Sequence, residues 1–199
     1  MILGDGYIYH NAKRDRKGKL RKNYYVGLEA KDIDFIETFN MALCTFLNRK
    51  QPYPIWRDRE LFRVECNRKS LFMIAIHIKN KEFEKVREII EKYPCEFLRG
   101  FFDSEGCVNV RYRNNGSGVY YKQIRITAGQ KDRYVLDFIQ SLLAKLGIKS
   151  KIFSNGKSGI WKLEINNEDS VKRFMKLIGF SIKRKQDKYI YGLKLPKRR

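Results

Sequence analysis

The stretch Phe97-Leu-Arg-Gly-Phe-Phe-Asp-Ser-Glu-Gly-Cys-Val-Asn-Val110 decides the fold, because an apolar helix gives way there to a strand with an acid between them. Helical spacing puts the large apolar residues on a broad face and the pair Gly100 and Ser104 on a narrow one, where a second helix can approach closely. Gly106 predicts the end of the helix, and the alternation that follows predicts a strand. Glu105 is therefore expected at a helix C-terminus, where a carboxylate is unfavourable unless a cation or another purpose holds it.

The same pattern occurs at the first residues of the chain. Met1-Ile-Leu-Gly-Asp-Gly-Tyr-Ile8 again has an apolar run, an acid and a glycine that opens a strand. Gly6 and Gly106 lie 100 residues apart. Two helices packed through Gly4 and Ser104 would bring Asp5 and Glu105 together below their C-terminal ends.

Both segments resemble a known family. Leu98-Arg-Gly-Phe-Phe-Asp-Ser-Glu-Gly106 resembles the LAGLIDADG signature of homing endonucleases, with Glu105 in the position of the metal-binding acid. Met1 to Gly6 resembles the last six residues of that signature, with Asp5 as the equivalent acid. The first copy lacks the opening three residues, Leu3 stands where the motif usually has an acid, and Arg99 replaces a small residue.

Composition restricts the partner. The net charge of +21 over 199 residues predicts strong self-repulsion that an acidic polymer would relieve, so we expect nucleic acid. A membrane is disfavoured as a partner, because no apolar run approaches the ~20 residues of a spanning helix. Hydrophobic residues at 43% and aromatic residues at 14% indicate a folded core.

The four cysteines do not predict a zinc site. Cys44, Cys66, Cys95 and Cys107 contain no CxxC pair, and only two histidines, His10 and His77, could supplement them. Buried, reduced thiols in an intracellular protein are the expectation.

The two halves of the chain repeat. Lys31-Asp32 matches Lys131-Asp132, and Phe-Arg-Val-Glu-Cys-Asn67 matches Trp-Lys-Leu-Glu-Ile-Asn166. We predict an N-terminal half at 1–78, an exposed linker helix at 79–93 and a C-terminal half at 94–199. The fold class is α+β, with tandem αββαββα repeats in a pseudo-twofold, two-lobed monomer that carries two antiparallel DNA-binding sheets. The predicted strands are 7–10, 23–29, 62–67, 107–113, 120–128, 149–154 and 160–165, and the predicted helices are 31–48, 69–78, 94–105, 131–146, 168–178 and 181–193.

One face of each hairpin is expected to bind DNA, since a two-stranded ribbon fits the major groove and Arg, Asn and Gln read base edges there. The residues on these faces are Tyr7, Tyr9, Tyr25 and Glu29 in the first half, and Asn109, Arg111, Arg113, Gln123, Arg125 and Thr127 in the second. A long basic loop at 11–22, with Lys13, Arg14, Arg16 and Lys17, would contact phosphates. The alternative is an ordinary solvated sheet face, which normally mixes both signs of charge.

Two nearby carboxylates repel each other and gain by binding divalent cations, so Asp5 and Glu105 are candidate metal ligands. The family resemblance implies two or three Mg²⁺ ions at this shared site and cleavage of both DNA strands across the minor groove, with short 3′ overhangs. It also implies that Gln130 and Lys131 orient water, with Lys31 as the first-half counterpart of Lys131. Ala30 stands where the counterpart of Gln130 would be, so the site is expected to be asymmetric. The alternatives are acids that only cap helix ends and lysines that are only solvated.

A second class of function fits the same residues. An RNA-splicing maturase or a DNA-binding regulator could use this scaffold with structural acids, and its partner would be intron RNA or uncleaved DNA. The first hypothesis, a monomeric nuclease acting on double-stranded DNA, is favoured because both acids are present.

Overall fold

The computed structural model describes residues 2–14, 16–114, 116, 118, 120–154, 156 and 159–196. The chain divides into two compact units, Met1–Ile90 and Glu91–Arg199. Within the described residues, no helix is both long and apolar enough to cross a membrane.

The N-terminal unit is built on one antiparallel sheet of four strands in the order β1-β2-β4-β3. Its elements are β1 (Gly6–Arg14), β2 (Leu20–Ala30), α1 (Ile33–Phe46), β3 (Ile55–Asp58), β4 (Leu61–Asn67) and α2 (Lys69–Lys79). A 3₁₀ helix (Phe83–Val86) and α3 (Arg87–Lys92) follow.

The C-terminal unit repeats this arrangement with the strand order β5-β6-β8-β7. Its elements are α4 (Pro94–Glu105), β5 (Gly106–Asn114), β6 (Tyr120–Gln130), α5 (Arg133–Lys145), β7 (Lys151–Ser154), β8 (Trp161–Ile165), α6 (Glu168–Leu177) and α7 (Lys183–Lys194).

The strand registers of the two sheets correspond residue by residue. Gly6 lies opposite Leu28 in the first hairpin, and Gly106 lies opposite Ala128 in the second. This agreement confirms the predicted repeat and the α+β class.

The inner face of each sheet forms part of a core. In the first sheet Val26, Leu28 and Val64 are fully covered, and in the second Ile126 and Leu163 are. Burial of each such side chain contributes roughly 1.5–3 kcal/mol to folding. Because strand residues alternate between faces, covering one face commits the neighbouring residues to the outer face.

The start of the chain differs from the prediction. Residues 2–5 form a turn rather than the end of a helix, and Met1 lies outside the described residues.

The basic loop is shorter than predicted. The strands reach Arg14 and start again at Leu20, so Lys13 and Arg14 are strand residues and only 15–19 connect them. Both faces of this hairpin end are largely solvent-exposed, so polar side chains are tolerated on either side of the paired strands. The alternation of apolar and polar residues that predicts a strand is therefore missing here. Residue 15, parts of the predicted turns at 114–118 and 155–159, and residues 197–199 of the basic tail lie outside the described residues.

The prediction of a single exposed helix at 79–93 is wrong. The segment contains the 3₁₀ helix and α3, and its apolar residues Phe83, Val86 and Ile90 are buried. Sparse apolar residues do not imply exposure when the helix is broken, because the two short pieces bury Phe83, Val86 and Ile90 while Ile89 stays 40% exposed.

Helices α1 and α5 begin two residues later than predicted, because the aspartates occupy the N-cap positions. The Asp132 carboxylate accepts a hydrogen bond from the Tyr134 backbone N–H at 2.9 Å. Lys31 and Lys131 therefore lie before their helices rather than inside them.

Candidate nucleic-acid interface and acidic residues

An acid directly precedes the first strand of each sheet. Asp5 is the last residue of the turn before β1 and is exposed, whereas Glu105 ends α4 before β5 and is partly exposed. Since the two hairpins share one register, the acids hold equivalent places in the two repeats. Each acid therefore lies directly before an edge strand of its sheet.

A buried lysine compensates the C-terminus of α4. Lys185, which is only 6% exposed, donates from Nζ to the Phe102 carbonyl at 3.0 Å and also to the Asp103 carbonyl. The Gly106 backbone N–H also donates to Phe102. This cation meets the requirement that the sequence set for a helix ending in Glu105, but it had not been predicted from the sequence, because nothing there separates Lys185 from the exposed lysines beside it.

The other acid of the signature has a structural role. Asp103 is buried, and its carboxylate accepts hydrogen bonds from the Ser181 backbone N–H at 3.0 Å and from the Ser181 hydroxyl. Burial raises the pKa of Asp103, while the bonds from Ser181 and the charge of Lys185 oppose this shift. Asp103 thereby holds the chain before α7, which explains why α7 begins at Lys183 rather than at Ser181.

Tyrosines and a glutamate dominate the outer face of the first sheet. The Tyr7 ring lies across Gly27, where an added Cβ would stand 2.4 Å from Tyr7 Cζ. The Tyr7 hydroxyl donates to Glu65 Oε1 at 2.7 Å, and the Tyr9 hydroxyl donates to Glu65 Oε2 at 3.2 Å. Tyr9 also stacks on Tyr25 with ring centroids 4.5 Å apart. Burial and the neighbouring Glu65 raise the pKa of both Tyr7 and Tyr9.

Amides continue this face toward the end of the hairpin. Asn67 donates to Asn23 at 3.1 Å, and Asn23 donates to Asn11 at 3.2 Å, so three strands carry a row of linked amides. Nearer the acid, the Arg63 Nε donates to Glu29 Oε2 at 2.7 Å. Of these residues, only Glu29 had been predicted from the sequence. The alternation in β4, predicted as the strand 62–67, could have indicated Arg63, Glu65 and Asn67 as well, because it places all three on the same side.

The outer face of the second sheet is built from guanidinium and amide groups. Arg111 donates from Nε and Nη2 to Gln123 Oε1 at 3.1 and 3.0 Å, and Asn109 donates to Thr127 Oγ1 at 3.0 Å. Burial is the main cause that lowers the pKa of Arg111, and the positive charge of the nearby Arg125 lowers it further. The structure thus places five of the six predicted second-half residues in one partnered layer, and Arg113 extends beyond it, exposed.

A buried glutamate neutralises part of that layer. Arg125 donates from Nη1 to Glu164 Oε2 at 2.6 Å, and Asn166 donates to Glu164 Oε1 at 2.7 Å. The Arg125 Nε is buried and has no partner among the described residues. Glu164, the counterpart of Glu65 in the repeat, thus adds one negative charge to a face that also carries Arg111, Arg113 and Arg125.

The remaining predicted residues lie at the ends of the strands. Lys13, Arg14, Arg16 and Lys17 are all exposed. Lys31 donates to the exposed Glu60 at 2.7 Å. Lys131 is exposed, and Gln130 ends β6 opposite Trp161, just as Ala30 ends β2 opposite Phe62.

The cysteines are free, as expected, but only Cys66 is buried. Cys107 is exposed, which corrects the expectation of buried thiols: as the residue after Gly106 it falls on the outer face. Among the described residues, no three His, Cys, Asp or Glu side chains form a group that could enclose a metal.

Comparison with known proteins shows which sequences this chain resembles. Residues 92–179 match the model of the LAGLIDADG-like domain. The chain is 30% identical to the uncharacterized protein MJ0398 of Methanocaldococcus jannaschii, over 94% of this chain and 67% of that protein. It is 25% identical to the homing endonuclease I-ApeI of Aeropyrum pernix, over 89% of this chain and 78% of the relative.

Two solved structures share the fold. The structure of I-DmoI in complex with DNA and Mn has a TM-score of 0.57 at 20% identity and covers 89% of this chain and 91% of its own. The structure of I-SmaMI bound to uncleaved DNA in the presence of calcium ions has a TM-score of 0.59 at 13% identity and covers 97% of this chain and 87% of its own. With its two acid-led, four-stranded sheets and the signature at Leu98–Gly106, the chain belongs to the LAGLIDADG homing endonuclease family.

Proposed function

We propose that this protein is a site-specific endonuclease that binds a long double-stranded DNA target and cleaves both strands by metal-dependent hydrolysis of phosphodiester bonds. One observation carries the proposal: in each unit an acid directly precedes the first strand of a sheet whose outer face bears groups that pair with bases. The relatives support it, since I-ApeI is a homing endonuclease and I-DmoI has been solved with DNA and Mn.

The sheets would supply recognition and the basic strand ends would supply affinity. Arg111, Gln123 and Asn109 present donors and acceptors that match base edges in the major groove. Lys13, Arg16 and Lys17 extend from the hairpin end as exposed cations suited to phosphates. The net charge of +21 favours binding to the negatively charged DNA backbone over recognition of a neutral partner.

Asp5 and Glu105 fit a divalent cation that DNA helps to hold. Their carboxylate oxygens are the ligands that Mg²⁺ prefers, and Mg²⁺ commonly binds one or two carboxylates together with water and substrate phosphates. Because the described residues contain no group of three metal-binding side chains, DNA and water would complete the coordination. The bound cation would activate water and stabilise the leaving oxygen. We propose that two or three such ions bind at these acids.

The residues beside the acids would position the attacking water. The backbone of Gln130 is held in the β-ladder opposite Trp161, so its side-chain amide extends from a fixed point at the end of β6. Lys131 is exposed, and Lys31 pairs with the exposed Glu60, so either lysine can turn toward a phosphate at little cost. With Ala30 in place of a second glutamine, the two strands would be cleaved at unequal rates.

Cleavage of a duplex library in the presence of Mg²⁺, mapped by sequencing of the ends, tests the proposal. Glu105→Gln should lower the cleavage rate at least ~100-fold while leaving binding without metal within about threefold, because the lost charge serves metal binding rather than DNA contact. Glu96→Gln, at an exposed acid in the first turn of the same helix, is the matched control and should cleave normally.

Three results would contradict the proposal. They are no cleavage of any duplex by the wild-type protein, equal loss of binding and cleavage in Glu105→Gln, or tight binding of intron RNA without duplex cleavage. The last would favour the maturase alternative, which stays a prediction from the sequence.

A further inference from the structure

We propose that Glu65 is a specificity-determining residue, whose carboxylate accepts a hydrogen bond from the N4 amino group of a cytosine in the DNA target. This inference rests on the proposed function and extends it to one side chain and one class of base pair.

The geometry presents Glu65 as an acceptor on the outer face of the first sheet. Glu65 lies opposite Gly27, and Gly27 lies opposite Tyr7, so these three residues form one row across three strands. Because Gly27 has no side chain, the Tyr7 ring can cross the middle strand and reach the carboxylate at 2.7 Å. Tyr9 binds the other oxygen, and each carboxylate oxygen keeps lone-pair capacity for a further donor.

The charge of Glu65 is compensated only in part, by the neighbouring Arg63. Within the described part of the chain Glu65 forms hydrogen bonds to two phenols and no ion pair, and the nearby Arg63 guanidinium is bound to Glu29. Glu65 is only partly buried. An acid in such a place weakens attraction to phosphates, so its presence on a surface for DNA calls for a gain elsewhere.

The matching residue of the second repeat shows the contrast. Glu164 lies opposite Thr127 as Glu65 lies opposite Gly27, but it is buried and paired with Arg125 at 2.6 Å. Glu164 thus holds a guanidinium in place, whereas Glu65 keeps its charge on the open face. At the same position of the repeat, Glu164 positions an arginine in the second sheet, whereas Glu65 contacts a base from the first.

Base chemistry identifies what Glu65 would read. In the major groove a carboxylate accepts a hydrogen bond from cytosine N4, while the O6 and N7 atoms of guanine are acceptors that would repel it. The phenols of Tyr7 and Tyr9 fix the carboxylate before DNA arrives, which reduces the ordering cost on binding. We therefore expect cytosine to be preferred at one position of the target.

Selection of binders from a randomised duplex pool, without divalent metal, tests this inference. The wild-type protein should enrich a sequence with a fixed cytosine, and Glu65→Gln should lower the preference for cytosine at that one position about tenfold. Glu84→Gln, at an exposed acid of the same unit paired with Arg87, carries the same charge change and should leave the base profile unchanged.

A second measurement needs no variant. Each cytosine fixed in the wild-type profile is replaced in turn by 2-pyrimidinone, which lacks the amino group, and at least one replacement should weaken wild-type binding about tenfold. If the base profile of a folded Glu65→Gln protein equals that of the wild type, or if no replacement weakens binding, the inference is overturned while the proposed function stands. If the wild-type protein enriches no sequence at all, the proposed function fails first.

Discussion

Replacement of Lys185 by methionine would remove the buried cation at the end of α4. The ammonium group donates to the carbonyls of Phe102 and Asp103 and lies 5.5 Å from the centre of the Phe180 ring. Methionine retains a similar volume, so the substitution removes charge and donors without leaving a large cavity.

The magnitude follows from what loses its partner. Phe102 keeps the hydrogen bond from the Gly106 N–H, but the Asp103 carbonyl loses the lysine donor, at a cost of about 1–3 kcal/mol. Loss of the positive charge at the helix C-terminus costs up to about 2 kcal/mol more. Relief of the desolvated ammonium offsets part of this, so we expect the free energy of unfolding to fall by about 2–4 kcal/mol at pH 7.

The loss should depend on pH. Without Lys185, the charge that lowers the pKa of Asp103 is gone, so the folded-state pKa rises further above its unfolded value of about 3.9. A folded state with the higher pKa binds the proton first, and acidification then stabilises it relative to the unfolded chain. The difference in stability between wild type and variant should therefore shrink as the pH falls from 7 toward the unfolded-state pKa of about 3.9.

Thermal and urea unfolding, followed by circular dichroism, measure both effects. For a chain of this size the expected loss lowers Tm by about 5–15 °C. Lys183→Met is the control, because Lys183 lies on the same helix with its side chain 77% exposed, paired with Asp187, and should change stability by less than about 0.5 kcal/mol. The reasoning would be refuted if Lys185→Met were as stable as the control. It would also be refuted if the difference in stability between wild type and Lys185→Met grew as the pH fell.

Two further predictions concern charge. Glu164→Gln should lower the free energy of unfolding in urea by about 3 kcal/mol, because it leaves the partly buried Arg125 unpaired. Glu168→Gln, which removes an exposed pair with Lys172, is the control and should cost less than about 1 kcal/mol. Similar losses in the two variants would contradict the structural role of Glu164. The logarithm of the DNA association constant should fall with the logarithm of salt concentration with a slope of about −5 or steeper if six or more phosphates are contacted, and a flat response would exclude the basic hairpin end as a phosphate-binding surface.

The repeat and the faces of its strands could be predicted from local pattern. Alternation assigned Asn109 and Arg111 to one side of β5, and the glycines at 6 and 106 fixed where each first strand begins. These features depend on residues close together in the chain, where periodicity is informative.

The pairings that shape the candidate site could not be predicted from the sequence. Glu164 and Arg125 lie 39 residues apart and meet only because β8 pairs with β6 in one register. A shift of one residue would have turned Glu164 to the core side. The pattern of the sequence shows which side a residue faces but not which partner it finds there, so the pairing of Arg125 with Glu164 could not be predicted.

The contact of Lys185 with the end of α4 also has a consequence for biosynthesis. A ribosome makes Glu105 eighty residues before it makes Lys185, so the nascent second unit carries its candidate metal-binding acid on a helix end that is not yet neutralised. Docking of α7 supplies the missing cation and, through Ser181, the donors for Asp103. A chain whose translation stopped before α7 would lack both contacts, so the end of α4 that carries Glu105 would keep its carbonyls without the lysine donor.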